Sequence, residues 1–126
     1  MTKYNNSWVE VNGIKFQSKA ESERYLYLLD KQERGEIKNL KLQPVYQFII
    51  RGQLLKTEKG RVLKYVADFS YHEPVGNNVC KLVAEDVKGY ATDVWKIKFS
   101  LAKAMHPATE FVAVYKKKGG WDERRW

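Results

Sequence analysis

The sequence predicts an α/β protein: a mixed four-stranded sheet flanked by helices in the order α-β-β-β-α-β, with a hairpin in front. Apolar residues recur at helical spacing over 18–34 and again over 92–105. Three runs rich in β-branched and aromatic residues lie between those stretches, and a fourth follows the second. The first three strands should pair antiparallel, whereas the helix between the third and fourth is a crossover that makes those two parallel.

Each element has its own signal. Trp8 to Phe16 alternates on both sides of Asn12-Gly13, the pattern of a two-residue-turn hairpin. Ser18 followed by Glu21 is a capping box for the first helix, which continues to Arg34 and stops at Gly35. Leu40 to Ile50 is β-rich, and Pro44 belongs at a strand entry or a sheet edge. A basic connection, Arg51 to Arg61, leads into strands over Val62–Tyr71 and Val79–Val87, joined through Gly76-Asn77-Asn78. Thr92 caps the second helix, Pro107 ends it, and Glu110–Tyr115 is the last strand. Residues 116–126 form a basic, aromatic tail, and no linker divides the chain, so residues 1–126 read as a single domain.

Composition narrows the class of partner. A chain of 126 residues with 44% hydrophobic and 30% charged residues suits a globular domain with its own core. The lone cysteine, Cys80, cannot form an internal disulfide, and two histidines without ligand spacing give a zinc site no support. No apolar run reaches the roughly 18 residues of a membrane span. The polar start Met1–Asn6 lacks a signal-peptide core, so a cytoplasmic protein without a membrane partner is expected. The formal charge of +8 favours a polyanion, nucleic acid first. Lys116, Lys117 and Lys118 concentrate that charge, and Trp8, Trp121 and Trp126 lie outside the elements a core needs, available to stack on bases or to anchor an interface.

The chemistry centres on Leu82-Val83-Ala84-Glu85-Asp86-Val87-Lys88-Gly89. In a strand Asp86 and Lys88 project from one face and Glu85 from the other. Such a pair is either a structural ion pair or a metal-ligand carboxylate beside a cation that holds a phosphate or an attacking water. Asp68 bears on the choice, because a lone acid within Tyr65-Val66-Ala67-Asp68-Phe69 is uncommon unless paired or metal-bound. A hairpin turn centred on Asn77 sets Asp68 directly opposite Asp86, with Cβ atoms about 5 Å apart. Like charges that close call for a proton, for Lys88, or for a hard divalent cation between them.

Taken together, Phe16-x-Ser18-Lys19-x-Glu21-x-x-Arg24-Tyr25, Leu42-Gln43-Pro44, Tyr65-Val66-Ala67-Asp68-Phe69, Glu85-Asp86-Val87-Lys88-Gly89 and Thr92-x-x-Trp95-Lys96-x-Lys98 resemble the PD-(D/E)XK nuclease superfamily. The closer resemblance is to small prophage-encoded endonucleases related to phage and archaeal Holliday-junction resolvases, and it spans about residues 14–105. It implies a restriction-endonuclease-like core and a DNA endonuclease dependent on Mg²⁺, with Mn²⁺ as a substitute. The implied substrate is branched or junction DNA in phage recombination or replication inside a bacterial host, cut by a homodimer. By this resemblance Asp68 matches the first acid, Asp86 the second, Lys88 the lysine and Glu21 the helix acid. Asp68, Asp86 and the carbonyl of Val87 would hold the metal, and Glu21 a second metal or a water. Gln43, Lys96 and Lys98 would touch DNA, as would Lys116, Lys117 and Lys118. Ala67 stands where the superfamily's name has proline, a position that carries no catalytic group. Glu85 is expected on the opposite face, solvated or ion-paired, and His72 at the flank of the hairpin. The rival reading is a nucleic-acid-binding module that keeps the fold and charge without the chemistry.

Overall fold

Asn12 and Gly13, both at positive φ (52° and 78°), turn β1 (Val9–Val11) back onto β2 (Ile14–Phe16), as their sequence requires. The computed structural model describes residues 8–125. Helix α1 (Lys19–Glu33) starts at Ser18, whose Oγ accepts the Glu21 N–H at 3.1 Å. Strand β3 (Lys38–Leu42) then stops where Gln43 takes a left-handed φ of 52° ahead of Pro44.

Beyond Pro44 the chain departs from the expected continuous strands. It leaves the main sheet and makes two small two-stranded sheets, β4 (Val45–Gln47) with β7 (Lys64–Val66) and β5 (Ile49–Ile50) with β6 (Gln53–Leu54). The expected strand over Val62–Tyr71 is therefore broken at Ala67-Asp68. Ala67 N–H bonds Pro44 O on the small-sheet side, and Asp68 N–H bonds Glu85 O on the main-sheet side. β8 (Phe69–Gly76) resumes the main sheet and turns through Asn77 and Asn78, both left-handed, into β9 (Val79–Lys88). Helix α2 (Asp93–Met105) follows its Thr92 cap and crosses over to β10 (Thr109–Lys117), which pairs parallel with β9.

The sheet has five strands, not four, in the order β11-β10-β9-β8-β3. The extra member, β11 (Gly120–Arg124), comes from the stretch expected to be a tail and pairs antiparallel with β10. Its charges are paired, Glu123 with Arg24 of α1 and with Arg125, and Asp122 with Arg124, so a sequence that looks solvated completes a sheet edge. The pairing of β3 with β8 and of β8 with β9 is antiparallel.

Two apolar layers cover the sheet. Phe16, Tyr25, Leu28 and Ile37 pack with Phe69, Tyr71, Val83, Val112 and Val114 on the α1 side. Phe48, Tyr65, Phe99, Ala102 and Phe111 pack with Ala67 and Ala84 on the α2 side. The two-residue alternation of β9 runs through both, with Val83 and Glu85 toward α1 and Ala84 and Asp86 toward α2. Among the described residues no helix is long and apolar enough to cross a membrane.

Candidate active site

The β8–β9 register runs from Phe69↔Glu85 to Pro74↔Cys80, the alignment expected from a turn centred on Asn77, but it arises differently. The turn is the pair Asn77-Asn78, closed by Gly76↔Val79, and an irregularity between Pro74 and Gly76 shifts the ladder by one residue. One step further along it lie Asp68 and Asp86. Asp68 is just beyond the end of the ladder, yet its backbone is pinned on both sides, since its N–H bonds Glu85 O at 3.1 Å and its carbonyl accepts Gln43 N–H at 2.9 Å. Its carboxylate Oδ2 accepts the Val87 N–H at 2.8 Å. Burial, then the charge of Asp86 and a hydrogen bond with it, then the charge of Glu21, push the Asp68 carboxyl up to about 9, against the lowering effect of Val87 N–H.

Asp86 is buried and held from two directions. The Tyr65 hydroxyl donates to its Oδ2 at 2.5 Å and the Trp95 indole Nε1–H donates to the same oxygen at 2.7 Å. Oδ1 is left facing Lys88 Nζ at 3.9 Å, and that ammonium sits 5.1 Å from the centroid of the Trp95 ring. Burial and the charge of Asp86 hold the Tyr65 phenol well above its usual range, so it remains a donor. Tyr65 and Trp95 fall within the sequence motifs, but their pattern does not mark them as holders of Asp86. The available signal is chemical: a buried tyrosine or tryptophan needs an acceptor for its polar hydrogen.

Glu21 approaches from the first turn of α1. Burial and the charge of Asp86 raise its carboxyl, while the Ser18 hydroxyl and Lys88 act in the opposite sense. Glu21, Gln43 and Asp68 line one cavity of about 400 Å³ with Trp8 at its wall, and Asp86, Lys88 and Lys98 line a neighbouring one of about 360 Å³. Gln43, at its left-handed φ, is a strained residue at the rim of the carboxylates, where such strain tends to accumulate.

The remaining candidates divide. Lys98 faces the cleft of Asp86, whereas Lys96 points to a different cavity on the far side of Trp95. Lys116 and Lys117 close β10, and Lys118 lies in the turn to β11. Lys116 is engaged by Glu23 at 2.9 Å and by the Trp121 ring at 4.8 Å. Trp121 is not free aromatic surface, because it packs on the α1-side core and on Tyr27. Trp126 lies outside the described residues. His72 lies on β8, with Nδ1 3.0 Å from Asn39 Nδ2, and is not part of the carboxylate cleft.

Glu85 is away from the site, as alternation along β9 requires, but it is fully buried. Arg24 grips it with Nε at 2.5 Å and Nη2 at 2.9 Å, Tyr71 donates at 2.7 Å, and Arg24 also reaches Glu123 at 2.8 Å. The guanidinium lies against the rings of Tyr27 and Trp121. Burial pulls Arg24 down, but the hydrogen bonds and charges of Glu85 and Glu123 outweigh it and the net shift is upward. This constellation ties α1, β9 and β11 together and is structural.

Among the described residues no three His, Cys, Asp or Glu side chains converge closely enough to hold a metal ion. The hard oxygens of Asp68 and Asp86 nonetheless suit Mg²⁺, which binds through one or two carboxylates and keeps the rest of its shell for water and phosphate. The raised Asp68 carboxyl is the matching observation, since burial first and the charge of Asp86 second disfavour a second bare carboxylate there.

No curated protein and no solved structure matches the chain. A family model does match, over residues 1–121. The chain therefore belongs to the family described as "protein of unknown function (DUF1064)".

Proposed function

We propose that the protein is a Mg²⁺-dependent endonuclease of the PD-(D/E)XK type that hydrolyses DNA phosphodiesters. Branched or junction DNA in a bacterial cytoplasm is its substrate, and Mn²⁺ can substitute for Mg²⁺. The observation that carries this reading is the convergence of Asp68 and Asp86 at one buried point, with Lys88 beside Asp86 and Glu21 near enough to be raised by it.

Asp68, Asp86 and the Val87 carbonyl would hold the cation, and Glu21 would bind a second metal or a metal-bound water. When bound, Mg²⁺ supplies a Lewis acid for the scissile phosphate and a means of acidifying the attacking water. The remaining work belongs to the chain. Tyr65 and Trp95 fix Asp86 by donating to one of its oxygens, which leaves the other oriented toward Lys88. Lys88 would orient the attacking water and offset charge developing on the phosphate. Glu21, raised by burial, is suited to take up a proton close to the reacting phosphate. Lys98 and Gln43, at the rims of the two cavities, would contact the DNA backbone, and Lys117 and Lys118 would extend that contact along the sheet end.

The absence of a three-carboxylate cluster among the described residues favours the rival reading, a module that binds nucleic acid without cutting it. A nicking assay on four-way junction, flap and plain duplex, each with Mg²⁺ and with EDTA, separates the two. The nuclease reading expects cleavage that EDTA stops. Binding without cleavage of any of the three DNAs in Mg²⁺ or Mn²⁺ would establish the module instead.

A further inference from the structure

A further cavity lies apart from the two that the carboxylates line. It lies between α2 and the β10–β11 hairpin and has a volume of about 670 Å³, within the range of roughly 300–1,000 Å³ typical of small-ligand sites. Its wall combines ring faces and cations. Tyr90, 83% exposed in the β9–α2 connection, stands at it with Tyr115 and Trp95, and Lys96, Lys103 and Arg124 surround them with no carboxylate in the lining. The Arg124 guanidinium lies over the Tyr115 ring, 4.1 Å from its centroid, which places a cation against an aromatic face. Trp95 connects the cavity to the chemistry, because it also lines the cleft of Asp86 and donates its indole N–H to that carboxylate.

We propose that this cavity receives one unpaired nucleotide of a DNA strand, its base among Tyr90, Tyr115 and Trp95 and its phosphate against Lys96 and Lys103. The inference rests on the endonuclease reading and specifies its substrate: DNA with an unpaired segment next to the scissile phosphate. Duplex DNA hides its base faces in the stack, so rings set among cations inside a cavity can engage a base only when it is unpaired. Tyr90 has no ring or hydrogen-bond partner among the described residues, so a large exposed aromatic there has no structural task in the fold.

The test is fluorescence anisotropy of the full-length chain in EDTA, so that nothing is cut, with a blunt duplex and the same duplex bearing a short unpaired tail. The wild type should bind the tailed DNA more tightly. Tyr90→Ala should lower that affinity about tenfold and leave the blunt duplex within about twofold, while Tyr90→Phe, which keeps the ring, should retain the preference. A Tyr90→Ala protein with unchanged preference, or one weakened equally on both DNAs, overturns the assignment. Displacement of the tailed DNA by a nucleoside monophosphate at equal concentration also overturns it, by assigning the cavity to free nucleotides. Duplex binding without a tail preference defeats this inference alone. No binding to either DNA, in EDTA and again with Ca²⁺ in place of Mg²⁺, defeats the endonuclease reading as well.

Discussion

Asp68 is the residue on which the proposed chemistry turns, because its carboxyl is pushed from 3.8 up to about 9 by burial and by Asp86. Between those values the folded, metal-free protein binds a proton there that the unfolded chain has released. The contribution of this group to stability is therefore complete below 3.8 and is lost as pH climbs through about 9. A cation that takes the place of that proton must displace it. Mg²⁺ binding should thus release protons near neutral pH and tighten as pH rises toward 9, levelling off above it. Titration calorimetry in two buffers of different ionisation enthalpy measures the release directly. A heat independent of the buffer contradicts a protonated Asp68 at the cation site. Arg24 makes a separate prediction: Arg24→Ala strands Glu85 as a buried, uncompensated charge and should destabilise the fold by about 3–5 kcal/mol in urea denaturation. Adding Glu85→Gln to the same chain should recover part of that loss, and an unchanged urea midpoint in Arg24→Ala would show that the pair carries no such weight.

At the scale of elements, β11 joins the end of the chain to the sheet rather than leaving it free. Trp121→Ala should destabilise by about 1–3 kcal/mol, because the ring's burial and its stacking with the Arg24 and Lys116 cations both disappear, as read from the thermal midpoint. A midpoint unmoved by that substitution would return residues 120–124 to the status of a tail. The two helices, their Ser18 and Thr92 caps and the turn at Asn77-Asn78 are local, set by capping and turn chemistry, and they could be read from the chain. The alignment of Asp68 with Asp86 also needs the one-residue shift between Pro74 and Gly76, which the chain does not announce. The excursion over 43–68 could not be read, because β-rich composition does not say which sheet a strand joins, and the left-handed Gln43 that diverts the chain is an unusual conformation for glutamine. Nor could the grip of Arg24 on Glu85, which spans 61 positions, or the meeting of Tyr65 and Trp95 on one oxygen of Asp86. Alternation placed Glu85 on the opposite face but gave no sign that it would be fully buried. β11 was hidden by its charged residues, one of which, Glu123, has its buried partner Arg24 on the first helix.

For the whole molecule, the charge of +8 should act through counterion release on DNA. Because Lys116 is engaged by Glu23, neutralising Lys117 and Lys118 should reduce the salt dependence of duplex binding by about 0.9 in slope for each phosphate no longer neutralised, while Lys116→Ala changes it little. An unchanged slope in the Lys117/Lys118 variant would leave this end of the sheet without a role in binding. Paired cuts in a branched substrate need two copies of a site that each chain holds once, so we propose a symmetric homodimer on junction DNA. With Trp121 committed to the core, Trp8, 56% exposed at the cavity of Glu21 and Asp68, is the tryptophan left for such an interface among the described residues. Sedimentation at micromolar concentration with and without junction DNA reads the stoichiometry, and a monomer in both that still makes paired symmetric cuts would remove the need for a dimer. The most direct measurement is single-turnover cleavage of a nuclease substrate in Mg²⁺ by the wild type and by Asp86→Asn, with DNA affinity and thermal midpoint taken on the same preparations. Loss of cleavage by at least about a hundredfold, with affinity and folding retained, is the expected result. Substantial turnover by a folded Asp86→Asn protein would contradict the assignment of this site as the catalytic centre.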